Sequence, residues 1–445
     1  MQCLILAAGK GSRLSGKGQP KPLVSFLGLP LVERTILTAK SCGIQEFCVV
    51  TGFEGEKVRN FLSTLQDKHK VSIVSIVNEE WEKENGISVL KAKGKISTPF
   101  LLMMTDHLVS RSMVEEMLKA PIEEQGVNLG VDFQLNTKPA AFLNEATKLE
   151  VRQGRVVNIG KGLETYNGLD TGLFVCSGAI FDALEESASK GDTTLSGGIR
   201  ILGSRGRVKA VDMGDALWFD IDDDVSFKRA EKAFLASLTK ETDGPISRYI
   251  NRPISTRITK RLVEKDLSPN FLTIISFCIC ILGAFLLALR PYPLLLLGGV
   301  LAQAASILDG CDGEVARLKF AGSPFGGWFD AVLDRYADAF LLVGLSFHSL
   351  WTYHAWVVLL VGAFAISGSL INSYTADKYD HFLVKKLKGR RGRYFRIGRD
   401  VRVFAVFLGA VLNLPFFTLG AIAVVMNLEN LRRVWILYRN QGETS

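Results

Sequence analysis

Cysteine is scarce in this sequence and is not arranged in pairs. The 445 residues include seven cysteines, and no two of them form a C-x-x-C motif. This pattern excludes a disulfide framework and is typical of reduced cysteines that pack inside a protein facing the cytoplasm. The sequence also lacks internal repeats and low-complexity tracts. A cleavable signal peptide is not expected, because Met1 leads directly into a predicted strand.

The positive charge of the chain is not spread evenly along it. Lys and Arg outnumber Asp and Glu by 53 to 45, which gives a formal net charge of +8. The excess is concentrated beside apolar runs, in residues 248–265 and 385–402. Proteins that bind nucleic acids usually carry a basic patch on a folded domain, so no nucleic-acid partner is expected. Lipid headgroups and phosphorylated substrates are the expected partners of this charge.

The chain consists of two different halves joined by a short connection. Residues 1–240 alternate short apolar strands with helical stretches, which predicts a soluble α/β domain with a mainly parallel, Rossmann-like sheet. Residues 241–269 are interpreted as a linker and an amphipathic juxtamembrane helix. Residues 270–445 are interpreted as an all-α transmembrane domain. Its six predicted spans cover about 270–290, 292–314, 327–350, 354–376, 399–413 and 415–437.

The distribution of basic residues predicts how these spans are oriented. Residues 248–265 and 385–402 carry many Lys and Arg side chains, whereas the connections near Arg290, His354 and Pro415 carry almost none. Positively charged loops stay on the cytoplasmic side of a membrane. We therefore expect a multi-pass protein of the cell membrane whose termini and soluble domain are cytoplasmic.

Four aspartates lie in an apolar stretch of the second half. They are Asp309, Asp312, Asp330 and Asp334, in the pattern D-x-x-D-G-x-x-A-R, eight residues, and G-x-x-x-D-x-x-x-D. In a helix–loop–helix, the i, i+3 and i, i+4 spacings place each pair on one helix face. Ionisable residues in membrane segments are costly and usually functional. Because carboxylates bind hard divalent cations, the pattern predicts a two-cation site on the cytoplasmic side for phosphoryl transfer.

This pattern resembles the signature of the CDP-alcohol phosphotransferase family at every defined position. The resemblance implies that the four aspartates bind two Mg²⁺ or Mn²⁺ ions and, through them, the diphosphate of a CDP-alcohol. It implies that Asp334 is also the general base that deprotonates the acceptor hydroxyl. Gly313 and Gly326 would let the nucleotide approach the helices closely, since a side chain there would clash. Arg317 would contact phosphate.

Two basic residues lie at the start of the fifth predicted span. Arg399 and Arg402 are i, i+3 on one helix face. We hypothesise that they bind a phosphate on the acceptor. Most of the other basic residues of 385–402 are expected to be membrane anchors.

A glycine-rich turn follows the first predicted strand. Its residues Ala8, Gly9 and Gly11 offer backbone N–H groups to an anion at the carboxyl end of the strand. The turn lacks the third glycine of a dinucleotide fingerprint, and no G-K-[ST] of a Walker motif follows it. Arg13 and Lys21 come next, and these cations can neutralise a triphosphate.

The motif A-A-G-x-G-x-R-L with P-K-P-L downstream resembles the nucleotidyltransferases that join a nucleoside triphosphate to a sugar or alcohol phosphate. The resemblance implies catalytic roles for Arg13 and Lys21 and at least one Mg²⁺ ion bound by Asp106 and Asp220. The segment that begins with Asn85 and Gly86 resembles the part of these enzymes that faces the nucleobase. His107 is interpreted as a strand-end side chain and not as a base.

Two further motifs, E-A-T-K and D-T-G, resemble cytidylyltransferases that act on L-myo-inositol 1-phosphate. In that subfamily the lysine and the aspartate lie in the acceptor pocket, which implies this role for Lys148 and Asp170. The segment Phe133–Ala141 departs from the pattern, so the identity of the acceptor stays open.

Taken together, the halves resemble the family of bifunctional inositol-1-phosphate cytidylyltransferases and di-myo-inositol-phosphate phosphate synthases. The resemblance implies that CTP and inositol 1-phosphate form CDP-inositol, a CDP-alcohol that then reacts with a second inositol 1-phosphate. Fusion would give the second site a high effective concentration of the first product. The resemblance also implies a homodimer in the lipid bilayer.

Three alternatives to this interpretation remain. The second half could be a phospholipid synthase that uses CDP-diacylglycerol as its donor. Both enzymes could be present but transfer inositol phosphate to a membrane alcohol. The first half could also be a degenerate domain that serves only as a regulatory nucleotide-binding module.

Overall fold

The computed structural model describes residues 1–11, 13–14, 19–240, 243–386 and 398–439, without the side chains of residues 141 and 377–386. The chain divides into two compact units, Met1–Ala233 and Phe234–Ser445. Each unit has its own hydrophobic core.

The first unit is an α/β structure. Its strands are β1 Gln2–Ala7, β2 Ser25–Phe26, β3 Leu29–Pro30, β4 Glu46–Thr51, β5 Ser72–Val77, β6 Phe100–Met104, β7 His107–Val109, β8 Val127–Asp132, β9 Lys148–Arg152, β10 Arg155–Gly160, β11 Gly168–Cys176, β12 Val208–Asp212 and β13 Trp218–Asp220. Its helices are α1 Leu31–Ser41, α2 Gly55–His69, α3 Asn85–Leu90, α4 Arg111–Lys119, α5 Ala140–Glu145, α6 Ala179–Ser189, α7 Leu195–Ser204 and α8 Asp224–Ala236, which crosses the boundary between the units.

The main sheet has the strand order β5-β4-β1-β6-β11-β8-β12-β10-β9. The first four strands are parallel to one another, whereas β11 is antiparallel to both β6 and β8. Strands β9 and β10 form a hairpin because Gln153 and Gly154 adopt positive φ angles of 50° and 75°, which suit a two-residue turn. The sheet is therefore mixed, and the expectation of a mainly parallel sheet is corrected.

The strand sequences explain why this sheet is covered on both faces. Side chains of β1 alternate between two core clusters: Leu4 and Leu6 lie in one, and Cys3 and Ile5 in the other. Buried residues of α3, α6 and α7 complete the first cluster, and those of α1, α2 and α4 complete the second. Parallel pairing of β1 with β6 brings the turn after β1 beside Asp106 at the same sheet edge.

The second unit is helical. A π-helical turn at Ser247–Asn251 leads into it. Its helices are α9 Arg252–Leu262, α10 Pro269–Ala288, α11 Tyr292–Leu318, α12 Pro324–Ser349, α13 Ala355–Lys386, α14 Arg399–Val411 and α15 Pro415–Arg439.

Three helical segments of this unit are long and apolar enough to cross a membrane. They are Pro269–Ala288, Tyr292–Leu318 and Ala355–Ala376. The expected all-helical domain with membrane-spanning segments is confirmed at this level. The count of six spans stays a prediction, because the parts of α12, α14 and α15 that the structure describes do not meet the same criterion.

Helices α10 and α11 approach each other closely through small residues. A Cβ atom on Gly283 would lie 3.0 Å from the Gly298 carbonyl oxygen, and one on Gly298 would lie 2.7 Å from the Gly283 oxygen. Such contacts between small residues are typical of helices packed in membranes. The chain then turns at Phe320, whose φ is 53°, and Ser323 caps α12 by accepting a hydrogen bond from the Gly326 N–H. This turn brings the aspartates of α11 beside those of α12.

Candidate active sites

In the first unit, Lys21 occupies the centre of an acidic group. Its Nζ lies 2.8 Å from Asp106 Oδ2 and 2.9 Å from Asp222 Oδ1, and its side chain is 9% exposed. Arg13 approaches from the outside, with Nη2 3.1 Å from Asp222 Oδ2. Burial disfavours the charged ammonium, but the carboxylates of Asp106 and Asp222 outweigh burial and raise the pKa of Lys21. Lys21 is therefore a fixed cation at the edge of the sheet.

Two carboxylates and one imidazole converge beside this lysine. Asp106, His107 and Asp220 offer ligand atoms that all lie within 4.8 Å of one another. The antiparallel pairing of β7 with β13 causes this proximity, because it sets His107 opposite Asp220. Burial would lower the pKa of His107, but Asp220 and Asp106 outweigh it and raise the pKa to about 9. The two carboxylates of this group, and not the protonated imidazole, are suited to a hard divalent cation.

An unpaired oxygen shows that a cation fits this group. Asp220 Oδ1 is buried and has no hydrogen-bond partner among the described residues. A buried carboxylate oxygen without a partner is costly. A hard cation would satisfy it, so Asp106 and Asp220 are suited to hold a divalent metal.

The structure explains why glycine stands at position 11. Gly11 has a φ of 63°, and a Cβ atom there would lie 2.5 Å from the Cβ of Lys21. Gly9 is open, since nothing lies within 4 Å of the position its Cβ would occupy, and Ala8 is buried. The turn therefore supports Lys21 on one side and leaves space above Gly9.

The predicted nucleobase-facing residues are packed against the start of α7. Asn85 Oδ1 accepts a hydrogen bond of 2.8 Å from the Leu195 N–H. A Cβ atom on Gly86 would lie 2.5 Å from the Thr193 carbonyl oxygen. Glycine is thus required at position 86 for packing, and contact of these two residues with a base stays a prediction.

The predicted acceptor residues lie in different environments. Asp170 lines a cavity together with His107, Asp220 and Arg229. Burial raises the pKa of Asp170 to about 6. Lys148 is not among the lining residues; its Nζ lies 5.0 Å from the centre of the Tyr166 ring. Asp170, and not Lys148, therefore lines the same cavity as His107 and Asp220.

In the second unit, three of the four signature aspartates converge. Asp309, Asp330 and Asp334 offer oxygens within 4.8 Å of one another. Asp312 is turned toward α10, where Thr273 donates a hydrogen bond to its Oδ2. Asp330 Oδ1 is buried and has no hydrogen-bond partner in the part of the chain that the structure describes. As in the first unit, this oxygen is suited to a hard cation.

Arg399 reaches into this acid cluster from α14. Its Nη1 lies 2.7 Å from Asp309 Oδ2 and 2.6 Å from Asp334 Oδ1. On its other side, Nε lies 3.1 Å from Oδ1 of Asp338, one helical turn beyond Asp334. The guanidinium is therefore held between the acid cluster and a fourth aspartate, Asp338.

Arg402 lies behind Arg399 and does not contact the acid cluster. Its side chain is 5% exposed, and Nη2 lies 2.5 Å from Asp338 Oδ2. It also donates hydrogen bonds to Asn372 and Ser373. These contacts give Arg402 a positioning role, and the hypothesis that it binds phosphate stays a prediction. Residues 387–397 and the side chains of 385 and 386 lie outside the described part, so their anchoring role stays a prediction as well.

The signature residues Gly313 and Arg317 lie near the end of α11, and Gly326 lies in the first turn of α12. The nearest atom to a Cβ on Gly313 would be Arg317 Nη1, at 3.4 Å. A Cβ on Gly326 would lie 3.0 Å from Asn270 Oδ1. Arg317 itself donates a hydrogen bond of 3.1 Å to the Leu238 carbonyl oxygen. A side chain at position 326 would therefore be crowded by Asn270, whereas the protein itself leaves room for a methyl group at position 313.

Comparison with known proteins gives the family of the chain. Residues 3–143 match the MobA-like NTP transferase domain, and residues 266–430 match the CDP-alcohol phosphatidyltransferase family. The inositol-1-phosphate CTP transferase from T. maritima is 25% identical, with a TM-score of 0.46, and the match covers 52% of this chain and 95% of that one. The "Bifunctional IPC transferase and DIPP synthase" of Rubrobacter xylanophilus is 38% identical over 98% of this chain and 97% of that protein. The protein of the same name from Aquifex aeolicus is 34% identical over 99% and 98%.

This chain belongs to the bifunctional IPC transferase and DIPP synthase family. The resemblance inferred from the motifs is therefore confirmed. The assignment of the two halves to a nucleotidyltransferase and a CDP-alcohol phosphotransferase is confirmed as well.

Four residues of this bifunctional family member are prominent in the structure but were not among the predicted site residues: His107, Asp222, Asp338 and Glu314. His107 was interpreted as a strand-end residue, yet it lies within the cluster around Asp106. The sequence did carry a signal for Asp338, because the i, i+4 spacing of Asp330 and Asp334 continues to it. Glu314 follows the signature glycine and is completely buried, which no sequence pattern indicated.

Proposed function

We propose that this chain catalyses two consecutive reactions. The first converts CTP and inositol 1-phosphate to CDP-inositol and diphosphate. The second converts CDP-inositol and another inositol 1-phosphate to di-myo-inositol phosphate phosphate and CMP. Full-length similarity to proteins named bifunctional IPC transferase and DIPP synthase supports both steps. The observation that carries the proposal is an acid cluster in each unit, each with a buried carboxylate oxygen that lacks a partner among the described residues.

In the first reaction, a phosphate oxygen of inositol 1-phosphate attacks the α-phosphorus of CTP. The bond between the α-phosphorus and the bridging oxygen to the β-phosphate breaks, and diphosphate leaves. Lys21 and Arg13 neutralise the triphosphate while the N–H groups of residues 8–11 face its oxygens. Asn85 and Gly86 face the cytosine, and Lys148 and Asp170 hold the acceptor.

In the second reaction, Asp334 takes the proton from the acceptor hydroxyl. The hydroxyl oxygen bonds to the β-phosphorus of CDP-inositol, and the bond from this phosphorus to the oxygen of CMP breaks. Arg317 contacts the diphosphate, which lies against Gly313 and Gly326. Arg399 contacts the phosphate of the acceptor, and Arg402 supports Arg399 through Asp338.

Mg²⁺ is the proposed cation in both units, and Mn²⁺ is the alternative. Two ions would be held by Asp309, Asp312, Asp330 and Asp334, and at least one by Asp106 and Asp220. When bound, these ions neutralise charge on the leaving group and orient the phosphates.

We propose that the helical unit spans the cell membrane six times, through α10 to α15. The three segments with sufficient length and hydropathy support this, together with the basic residues before α10. Both termini and both active sites would then be cytoplasmic. The proposed domains are residues 1–240, 241–269 and 270–445, and the helical unit would form a homodimer.

Product analysis by phosphorus NMR tests the proposal. Purified full-length protein is incubated with CTP, L-myo-inositol 1-phosphate and Mg²⁺, without added lipid. Diphosphate, CMP and a phosphodiester that carries a phosphomonoester are the expected products. If CDP-inositol alone accumulates, the second acceptor is a different alcohol, such as a lipid. If nothing turns over, the inositol assignment is wrong, and CDP-diacylglycerol becomes the donor to test.

A further inference from the structure

Residues 238–240 and Asp243, here called the connecting segment, lie near the start of the helical unit, and buried charges tie Asp243 to the rest of this unit. Asp243 Oδ2 and Oδ1 lie 2.8 Å and 3.0 Å from Arg252 Nε and Nη2 on α9. Arg252 Nη1 lies in turn 2.6 Å from Glu314 Oε1 on α11. The side chains of Arg252 and Asp243 are 11% and 9% exposed. Loss of one partner of such a buried ion pair strongly destabilises a protein. These contacts therefore fix the segment on α9 and, through Arg252, on α11.

Glu314 places this anchor next to the predicted nucleotide site. Its side chain is completely buried and accepts hydrogen bonds of 2.7 Å from Ser255 and 2.6 Å from Thr259. It directly follows Gly313, whose missing side chain would leave room for the CDP-alcohol. The segment is therefore attached to the same helical turn that carries the signature glycine.

The segment also makes a direct contact with a signature residue. The Leu238 carbonyl oxygen accepts the 3.1 Å hydrogen bond from Arg317 Nη2. Leu238 is 5% exposed, so its backbone is held in place by packing. On the other side of the guanidinium, Arg317 Nη1 lies above Gly313. Leu238 thus fixes the orientation of Arg317 over the predicted diphosphate position.

Lys240 follows Leu238 by two residues and carries a second cation. Its N–H donates a hydrogen bond of 2.9 Å to Asp243 Oδ2, which orients the backbone. Lys240 forms no salt bridge with any residue that the structure describes. The side chain of Lys240 is exposed to solvent, and partial desolvation with the charges of Arg317 and Arg252 lowers its pKa, against the opposing charges of Asp243 and Asp330. Lys240 is two residues from Leu238, whose carbonyl oxygen holds Arg317 beside Gly313, so its ammonium is suited to bind the same anion as Arg317.

We propose that Leu238 and Lys240 form part of the second active site, in which Lys240 binds the diphosphate of the CDP-alcohol and Leu238 positions Arg317. This inference rests on the proposed second reaction. It makes the connection between the two halves a component of the second site and not only a tether. The second reaction then depends on this segment even when the CDP-alcohol is supplied from outside.

Full-length Lys240→Gln, Lys240→Arg and a control variant test this proposal. The control Lys232→Gln removes the same charge from an exposed lysine of α8. CMP release is measured with CDP-inositol supplied at varied concentration, and diphosphate release from CTP is measured separately. Binding of CDP by calorimetry, with Mg²⁺ present, gives a readout that does not require turnover.

Lys240→Gln is expected to raise KM for CDP-inositol and weaken CDP binding by about tenfold, since a hydrogen bond to a charged group is lost. Lys240→Arg should restore most of the affinity for CDP and lower KM again toward the wild-type value. Lys232→Gln should match the wild type in both measurements, and all variants should release diphosphate at the wild-type rate. Unchanged CDP affinity in Lys240→Gln would overturn the proposal. If the wild-type protein binds CDP but releases no CMP from CDP-inositol, the proposed function is wrong instead, and CDP affinity still tests Lys240.

Discussion

Replacing Asp338 by asparagine removes a carboxylate that holds both Arg399 and Arg402. Its side chain is 4% exposed, with Oδ1 3.1 Å from Arg399 Nε and Oδ2 2.5 Å from Arg402 Nη2. Asparagine keeps one acceptor oxygen but presents an amide N–H₂ group to the other arginine. Donor then faces donor, and the guanidinium of Arg402 loses its charged partner in a buried position.

The expected loss in the free energy of unfolding follows from the burial of Asp338. Loss of one partner of a buried ion pair costs about 3–5 kcal/mol. The acceptor oxygen that remains, together with Asn372 and Ser373 around Arg402, keeps the expected loss near the lower limit, at about 3 kcal/mol. For a unit of this size, such a loss lowers the midpoint of thermal unfolding by roughly 6–12 °C.

The same substitution also removes the ion pair between Asp338 and Arg399 Nε. Arg399 then keeps its contacts with Asp309 and Asp334 but loses the charged group that orients its Nε. Misplacement of a substrate-binding group by about 1 Å costs on the order of 100-fold in rate. We expect Asp338→Asn to lower kcat/KM of the second reaction by about that factor and to leave the first reaction unchanged.

Thermal unfolding in detergent, CMP release and diphosphate release together check this reasoning. Asp266→Asn is the control, because Asp266 is exposed and its change removes the same charge. Asp338→Glu should recover part of the CMP release. Its rate of diphosphate release should equal that of the wild type. If Asp338→Asn unfolds at the wild-type temperature and releases CMP at the wild-type rate, the two arginines do not depend on Asp338.

Three further predictions concern other positions. Gly172→Ala should slow diphosphate release without affecting CMP release from CDP-inositol, because Gly172 has a φ of 73° and a Cβ there would clash with the ring of His107. Asp330→Asn should weaken Mn²⁺ binding by at least tenfold in a titration followed by electron paramagnetic resonance, since it alters the buried oxygen that has no partner among the described residues. Asp132→Asn should destabilise the first unit at neutral pH in chemical unfolding. Burial opposes ionisation of Asp132, but hydrogen bonds from Lys138 and Trp218 outweigh it and lower its pKa. The ionised form therefore stabilises the fold above about pH 4, and the difference between wild type and variant should shrink as the pH falls below that value.

The sequence was most informative where spacing alone determines position. Asp309, Asp330 and Asp334 converge because helical periodicity places them on facing sides of α11 and α12. Asp106 was predicted from the resemblance to nucleotidyltransferases, which implies a metal-binding carboxylate at the end of this strand. Only the first of these inferences needed no more than helical spacing and the chemistry of carboxylates.

The partners of the arginines were not predictable in the same way. Arg399 and Arg402 have the same spacing from each other as Asp309 and Asp312, yet only Arg399 reaches the acid cluster. The difference depends on how α14 packs against α11, α12 and α15, which residues distant in sequence determine. The antiparallel insertion of β11 between β6 and β8 has the same origin, since long-range pairing decides it and local propensity does not.

Both sites share one arrangement of charge. Lys21 bonds to Asp106 and Asp222 in the first unit, and Arg399 bonds to Asp309 and Asp334 in the second. In each site a buried cation offsets part of the acid cluster, which lowers the cost of holding several carboxylates close together before substrate arrives. The cation must also stay in place when phosphates enter, and each is restrained differently. Lys21 is backed by the chain at Gly11, whereas Arg399 is held by Asp338. If the proposed reactions are correct, the support of each cation, more than the acids themselves, would therefore set where a phosphate binds in the two sites.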